Sequence, residues 1–232
     1  MGATSKPGPL GPGHVDFQGL HGAGPVPAPG LRAAQRVHSA GQGRAARVQR
    51  VVFEGFTGPE LCGVFTPGRV AIERRDGEVV AERTSPREAF AGHGPDTPWD
   101  QLHVLYFAGY VMWNYLTAPY LLTCPGVAVE GLEPWQEGDE SWRRLRATFS
   151  DALATHAREQ IFSYNTAGLL RRHDYAADVL GGAPAAHLCE KHATVSGLVF
   201  PTHRYVLPVQ EDARVLPEPV LVAIDLTEIS VA

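Results

Sequence analysis

The chain has 232 residues, 44% of them hydrophobic and 19% charged, with a formal net charge of −5. Those proportions suit one domain with a core of its own and exclude a strongly basic nucleic-acid binder. No apolar run approaches the roughly 18 residues needed to span a bilayer as a helix.

Residues 1–47 read as an arm. Gly and Pro dominate its first part, and Asp16 is its only acidic residue. Such a segment buries too little apolar surface to offset its ordering entropy, so a disordered arm is expected, followed by a single ligand-pocket domain over residues 48–232. The N-terminus has no h-region of a secretory signal, and Cys62, Cys124 and Cys189 are odd in number and widely spaced. The expected location is therefore the cytoplasm, with free thiols.

Residues 48–53 suggest a first strand. Residues 69–75 and 78–83 alternate on either side of Asp76-Gly77, a strong hairpin signal that predicts a type I′ turn. In Ser85-Pro86-Arg87-Glu88, Ser85 caps a short helix, Pro86 takes its first position and Glu88 completes a capping box. Thr97-Pro98-Trp99-Asp100 repeats that grammar and opens the longest helix, which runs to about Thr117. Trp99, Leu102, His103, Tyr106, Tyr110, Trp113 and Thr117 recur at helical spacing on one face, with Asn114 beside them. Pro119 disfavours helical geometry at Ala118, so the helix is expected to end or kink there. Residues 127–135 form a further strand, and residues 136–140 an acidic turn.

Residues 142–206 then read as four consecutive antiparallel strands, and they hold five of the ten histidines. Asn165-Thr166-Ala167-Gly168 is turn chemistry between the runs 156–164 and 169–179. A four-residue loop pairs Tyr164 with Leu169, sets Gln160 opposite His173 and sets Arg158 opposite Tyr175. Alternation then puts His156, Arg158, Gln160, Phe162, His173 and Tyr175 on one face. A one-residue slip would put Asp174 beside Gln160 instead. In the run 186–194, His187 and Cys189 share a face and His192 takes the other. Pro201 interrupts the run 198–209 and suggests an edge or a bulge. Residues 220–231 supply a last strand.

The expected fold is α+β: a curled, mostly antiparallel β-sheet, a half-barrel, packed around an aromatic-rich helix. A groove between the two is the expected ligand pocket.

The meander over residues 142–206 resembles the bacterial lipoprotein-carrier-like half-barrels. The resemblance rests on Gly168-Leu169-Leu170-Arg171-Arg172-His173-Asp174-Tyr175 after a turn and on Gly197-Leu198-Val199-Phe200-Pro201-Thr202 opening a late strand. Residues 99–175 are also similar to a group of cytoplasmic actinobacterial and proteobacterial proteins. The carriers are exported, and this chain has no matching signal, so the resemblance implies the fold and an apolar pocket rather than a shuttle between membranes.

Imidazole titrates near neutrality, so a pocket histidine can give or take a proton at cellular pH. The expected catalytic residues are His156, His173 and Tyr175. His103, Tyr106, Tyr110, Trp113, Asn114, Arg158, Gln160 and His187 are expected to contact substrate. His156, His173 and His187 could converge across three strands, but no His-Glu-x-x-His or paired-Cys pattern supports a metal, and none is expected. Cys189 near a histidine could act as a nucleophile, although a buried free thiol is more often packing. Gly-x-Ser-x-Gly, Gly-x-Gly-x-x-Gly and P-loop patterns are absent, so no cofactor is expected. The leading expectation is a cofactor-independent acid/base enzyme, a cyclase, isomerase or dehydratase acting on a hydrophobic small molecule such as a secondary metabolite. The alternatives are a non-catalytic carrier of such a ligand and a structural protein with a filled core. The expected partner is a hydrophobic small molecule, with neither nucleic acid nor a membrane span.

Overall fold

A computed structural model of the chain describes residues 15–16, 32–34, 49–94, 97–210, 212–227 and 229. The arm expected over residues 1–47 lies outside the described residues, apart from the backbone of two short strands, β1 (Val15–Asp16) and β2 (Arg32–Ala34).

β2 joins β3 (Val51–Glu54), β4 (Leu61–Thr66), β5 (Arg69–Arg74) and β6 (Val79–Thr84) in a five-stranded antiparallel sheet, in the order β2-β3-β4-β5-β6. Asp76-Gly77 turns β5 into β6, but not as a two-residue type I′ turn: only Gly77 takes positive φ, and the Arg74 N–H donates to the Glu78 carbonyl at 2.8 Å around a three-residue loop. Gly77 sits at φ 93°, and the Glu78 N–H donates to the Asp76 carboxylate at 3.1 Å. β4 has no counterpart in the sequence reading. Its run Leu61-Cys62-Gly63-Val64-Phe65-Thr66 is apolar without alternation, because consecutive residues Gly63, Val64 and Phe65 are all buried.

The larger sheet follows: β7 (Val127–Glu137), β8 (Glu140–Phe149), β9 (Glu159–Tyr164), β10 (Leu170–Ala177), β11 (Ala183–Val195), β12 (Leu198–Pro208) and β13 (Val222–Asp225). With β1 it makes an eight-stranded antiparallel sheet in the order β1-β13-β12-β11-β10-β9-β8-β7. The sheet curls without closing, so the fold is the expected α+β half-barrel around an aromatic helix. No helix among the described residues is long and apolar enough to cross a membrane.

Two local expectations fail. Ser85 does not cap a helix. It takes φ 47°, outside the extended geometry of an N-cap, and only a single 3₁₀ turn, Glu88–Phe90, follows it. The long helix, α1 (Gln101–Thr117), is capped by Asp100 rather than Thr97. The Asp100 carboxylate accepts the His103 backbone N–H at 2.9 Å, and His103 Nδ1 accepts the Asp100 backbone N–H at 3.2 Å. This is a capping box with histidine in the place of glutamate.

Nor does α1 present one buried face. Every residue from His103 through Tyr115 is buried. A helix apolar all round belongs in an interior, and α1 lies between the two sheets. Its backbone comes close to β3, β4, β5 and β6. Glycines permit that approach: a Cβ added at Gly63 would stand 2.6 Å from Leu105 Cδ1, and one added at Gly109 would overlap the Phe65 side chain at its Cβ. Phe65 Cβ is fixed to the backbone and cannot swing aside. Gly109→Ala should therefore destabilise by about 2 kcal/mol in urea unfolding, since overpacking of ~1–3 kcal/mol exceeds the ~1 kcal/mol that alanine gains in helix propensity. An unchanged or raised stability would contradict this close packing.

The register of the larger sheet decides which side chains meet. Asn165 organises the β9–β10 turn, its carboxamide oxygen accepting the Ala167 and Leu169 N–H groups at 3.1 and 3.0 Å. Tyr164 opposes Leu170 rather than Leu169, and an irregularity between Leu170 and Arg172 then sets His173 opposite Phe162 and Asp174 opposite Ile161. The pairing of His173 thus differs from the expected one by two positions. Because side chains alternate, an even offset keeps every residue on its face, whereas the one-residue slip would have reversed them. Pro201 opposes His192 of β11, while β13 pairs only with His203 to Val206. The proline therefore stands where β12 has one neighbour, and no ladder bond is lost.

Candidate functional site

Across the concave face of the larger sheet, Phe162, His173, His187, Val206 and Val222 oppose one another in a row from β9 to β13. One step along, Cys189 of β11 opposes Arg204 of β12. His156 joins them from the segment before β9, where its carbonyl accepts the Asp178 N–H at 2.9 Å. Facing them, α1 contributes Tyr110, Asn114 and Tyr115.

The rings stack in pairs. His156 lies on Tyr175 with centroids 3.7 Å apart and planes 3° from parallel. His187 lies on Tyr115 at 3.8 Å, and His173 on Phe162 at 4.1 Å. The Tyr115 and Tyr175 hydroxyls meet at 2.8 Å, tying α1 to β10. His173 Nε2 donates to Gln160 Oε1 at 2.7 Å, a contact that fixes the proton on that nitrogen. Tyr110 OH stands 3.4 Å from His156 Nδ1, and Cys189 Sγ 3.6 Å from His187 Nε2.

Burial sets the electrostatics. His156, His173 and His187 are 1%, 2% and 0% exposed. Loss of water disfavours the charged imidazolium, so His173 is pushed down to about 3, with Arg204 adding to the effect. His156 and His187 are pushed well below the ordinary histidine value, first by burial and then by neighbouring positive charge. Burial likewise drives the Tyr110, Tyr115 and Tyr175 hydroxyls up. It pushes the Cys189 thiol up to about 11, so that group stays protonated and is a poor nucleophile.

Several buried polar atoms have no hydrogen-bond partner among the described residues: His156 Nε2, His187 Nδ1, Asn114 Oδ1 and Tyr164 OH are four of them. Asn114 uses only its Nδ2, which donates to the Ala154 carbonyl at 3.2 Å.

Of the residues anticipated from sequence, the structure gathers His156, Gln160, His173, Tyr175, His187, Tyr110 and Asn114 around this interior. It does not bring the others there. His103 is held in the α1 cap, beside Phe90 and His93. Arg158 is exposed, at a shallow concavity with Thr148 and Ser150, because β9 opens at Glu159 and the strand alternation does not reach position 158. Tyr106 packs on Phe65 and Phe90 towards the small sheet. The groove expected beside Tyr106, Tyr110 and Trp113 is filled: these side chains are core, at 1%, 0% and 2% exposure. Among the described residues, no group of three or more His, Cys, Asp or Glu is placed to hold a metal ion.

The sequence reading missed Tyr115 and Arg204. Tyr115 was overlooked because α1 was expected to bury one face only. Arg204 carried a signal in its strand parity, which it shares with Val206.

No protein-family model matches the chain, and no curated protein matches it. A solved structure, a LolA superfamily protein, NE2245, from Nitrosomonas europaea, is similar to it. That similarity has a TM-score of 0.42 and 10% identity over 78% of this chain and 74% of the other.

Proposed function

We propose that this protein is a non-catalytic binding protein, a carrier, for a hydrophobic small molecule taken up between α1 and the concave face of the larger sheet. The observation that carries this reading is the set of unpartnered polar atoms there: His156 Nε2, His187 Nδ1 and Asn114 Oδ1, on facing elements of a buried interior. Each unpaired buried group costs about 1–3 kcal/mol, which a ligand with a polar end can relieve. Entry requires α1 to part from the larger sheet. The helix backbone approaches the small sheet, and on the other side the gap is bridged by rings and hydroxyls, so parting there breaks side-chain contacts and leaves every backbone ladder intact.

The acid/base reading of His156, His173 and Tyr175 is less well supported. A general base works best with a pKa near the operating pH, and burial takes His173 to about 3 and Tyr175 upward.

Incubation with oleyl alcohol, followed by gel filtration and mass spectrometry of the extracted ligand, tests the proposal. The expected result is a one-to-one complex that releases the alcohol unaltered. Recovery of a converted product from hydrophobic candidates would restore the enzyme reading. Failure to retain any apolar ligand would remove the binding reading.

A further inference from the structure

We propose that the ligand's polar end is an anion, a carboxylate of the fatty-acid type, and that the buried guanidinium of Arg204 is its counter-charge. This inference rests on the binding reading above and names the class of ligand.

Arg204 is 1% exposed. Arginine is almost never fully buried unless it is paired. Among the described residues no carboxylate pairs with it. The acidic residues next to its ladder partners are engaged elsewhere: Glu190, beside Cys189, takes the Tyr205 hydroxyl at 3.1 Å, and Asp225, beside Ile224, takes His203 at 2.8 Å. The guanidinium carries five N–H groups. Nε donates to the Pro201 carbonyl at 3.1 Å and Nη2 to the Tyr115 carbonyl at 3.0 Å. Among the described residues Nη1 meets only the Cys189 sulfur, at 4.0 Å. That thiol is neutral, so it does not balance the charge. The remaining N–H groups of a planar fork are the geometry that recognises a carboxylate through two parallel hydrogen bonds.

The neighbours fit an amphiphile rather than a small ion. His187, with Nδ1 unpartnered, adjoins Cys189 and stacks on Tyr115. Val206, Val222 and Ile224 continue the same face across β12 and β13, and all three are buried. A carboxylate at Nη1 thus leaves its hydrocarbon tail on an apolar surface.

The test compares oleate with oleyl alcohol, which has the same chain and no charge, on the unmodified protein and on Arg204→Met. Oleate should bind the unmodified protein at least about tenfold more tightly, the difference a charge-assisted hydrogen bond supplies. Arg204→Met should bring the ratio of the two affinities close to one. Equal affinities in the unmodified protein would overturn the anion inference while leaving the binding reading standing, and this arm needs no variant to fold. Retention of neither ligand would overturn both. Acetate is the third arm: displacement of oleate by an equal concentration of acetate would mean a site for small free anions and would overturn the fatty-acid assignment.

Discussion

Between pH 7 and about pH 4.5 the protein should lose most of its folding stability. Burial holds the folded-state pKa of His156, His173 and His187 below the ordinary value, to about 3 for His173. The unfolded chain therefore binds protons that the folded chain refuses. Stability from this source is complete above the histidine value near 6.5 and is lost as the pH falls from there towards the folded-state values. Each group costs about 1.4 kcal/mol per pH unit in that window, and the three together about 4 kcal/mol per unit. A domain of ordinary stability has only about 5–15 kcal/mol to lose. Asp100 does not confuse the window. Burial pushes its carboxyl up, but hydrogen bonds from Arg83 and the His103 N–H outweigh this and hold it at about 2, so its contribution fades only below the usual aspartate range. Urea unfolding at a series of pH values should show an uptake of about three protons on unfolding near pH 5.5, reduced by about one in His156→Phe. A stability that stays flat to pH 5 would show that these imidazoles are not held neutral in a dry interior.

The second large effect is expected at Tyr115, where α1 meets the larger sheet. Its ring stacks on His187 and lies under Arg204, and its hydroxyl reaches Tyr175. Tyr115→Ala should cost about 3–5 kcal/mol, as for other large-to-small changes at buried aromatics. Tyr115→Phe should cost about 1–3 kcal/mol, because it strands the buried Tyr175 hydroxyl. Removing both hydroxyls, in Tyr115→Phe with Tyr175→Phe, should cost clearly less than the sum of the single changes, since neither partner is then left unsatisfied. Strict additivity in this cycle, read from urea midpoints, would mean that the two hydroxyls do not meet.

Local chemistry explains what the sequence made legible. The Asp76-Gly77 hairpin, the β7-to-β12 meander and α1 follow from turn residues, alternation and helical spacing, all short-range signals. The interior gathering of His156, Gln160, His173 and Tyr175 was also readable, even though the pairing of His173 was misjudged by two positions, because an even offset preserves the face. The failures are of another kind. Alternation was extended to Arg158, one residue before β9 begins. His103 was assigned to the ligand, where a neighbouring aspartate makes it a cap. The full burial of α1 was invisible because its second sheet depends on β4, whose apolar run lacks the period of a half-exposed strand. Arg204 shares the strand parity of Val206, which places it on the inner face, but parity alone does not tell that its guanidinium is buried without a carboxylate.

The placement of the ligand is tested most directly by nuclear magnetic resonance of the protein labelled with ¹⁵N at the histidine rings, titrated with oleyl alcohol. Each ring nitrogen reports its own hydrogen bonding. The signals of His156 Nε2 and His187 Nδ1 should shift in proportion to bound ligand, while those of His103, held in the α1 cap, stay in place. Bound ligand with the His156 and His187 signals unmoved would contradict this placement.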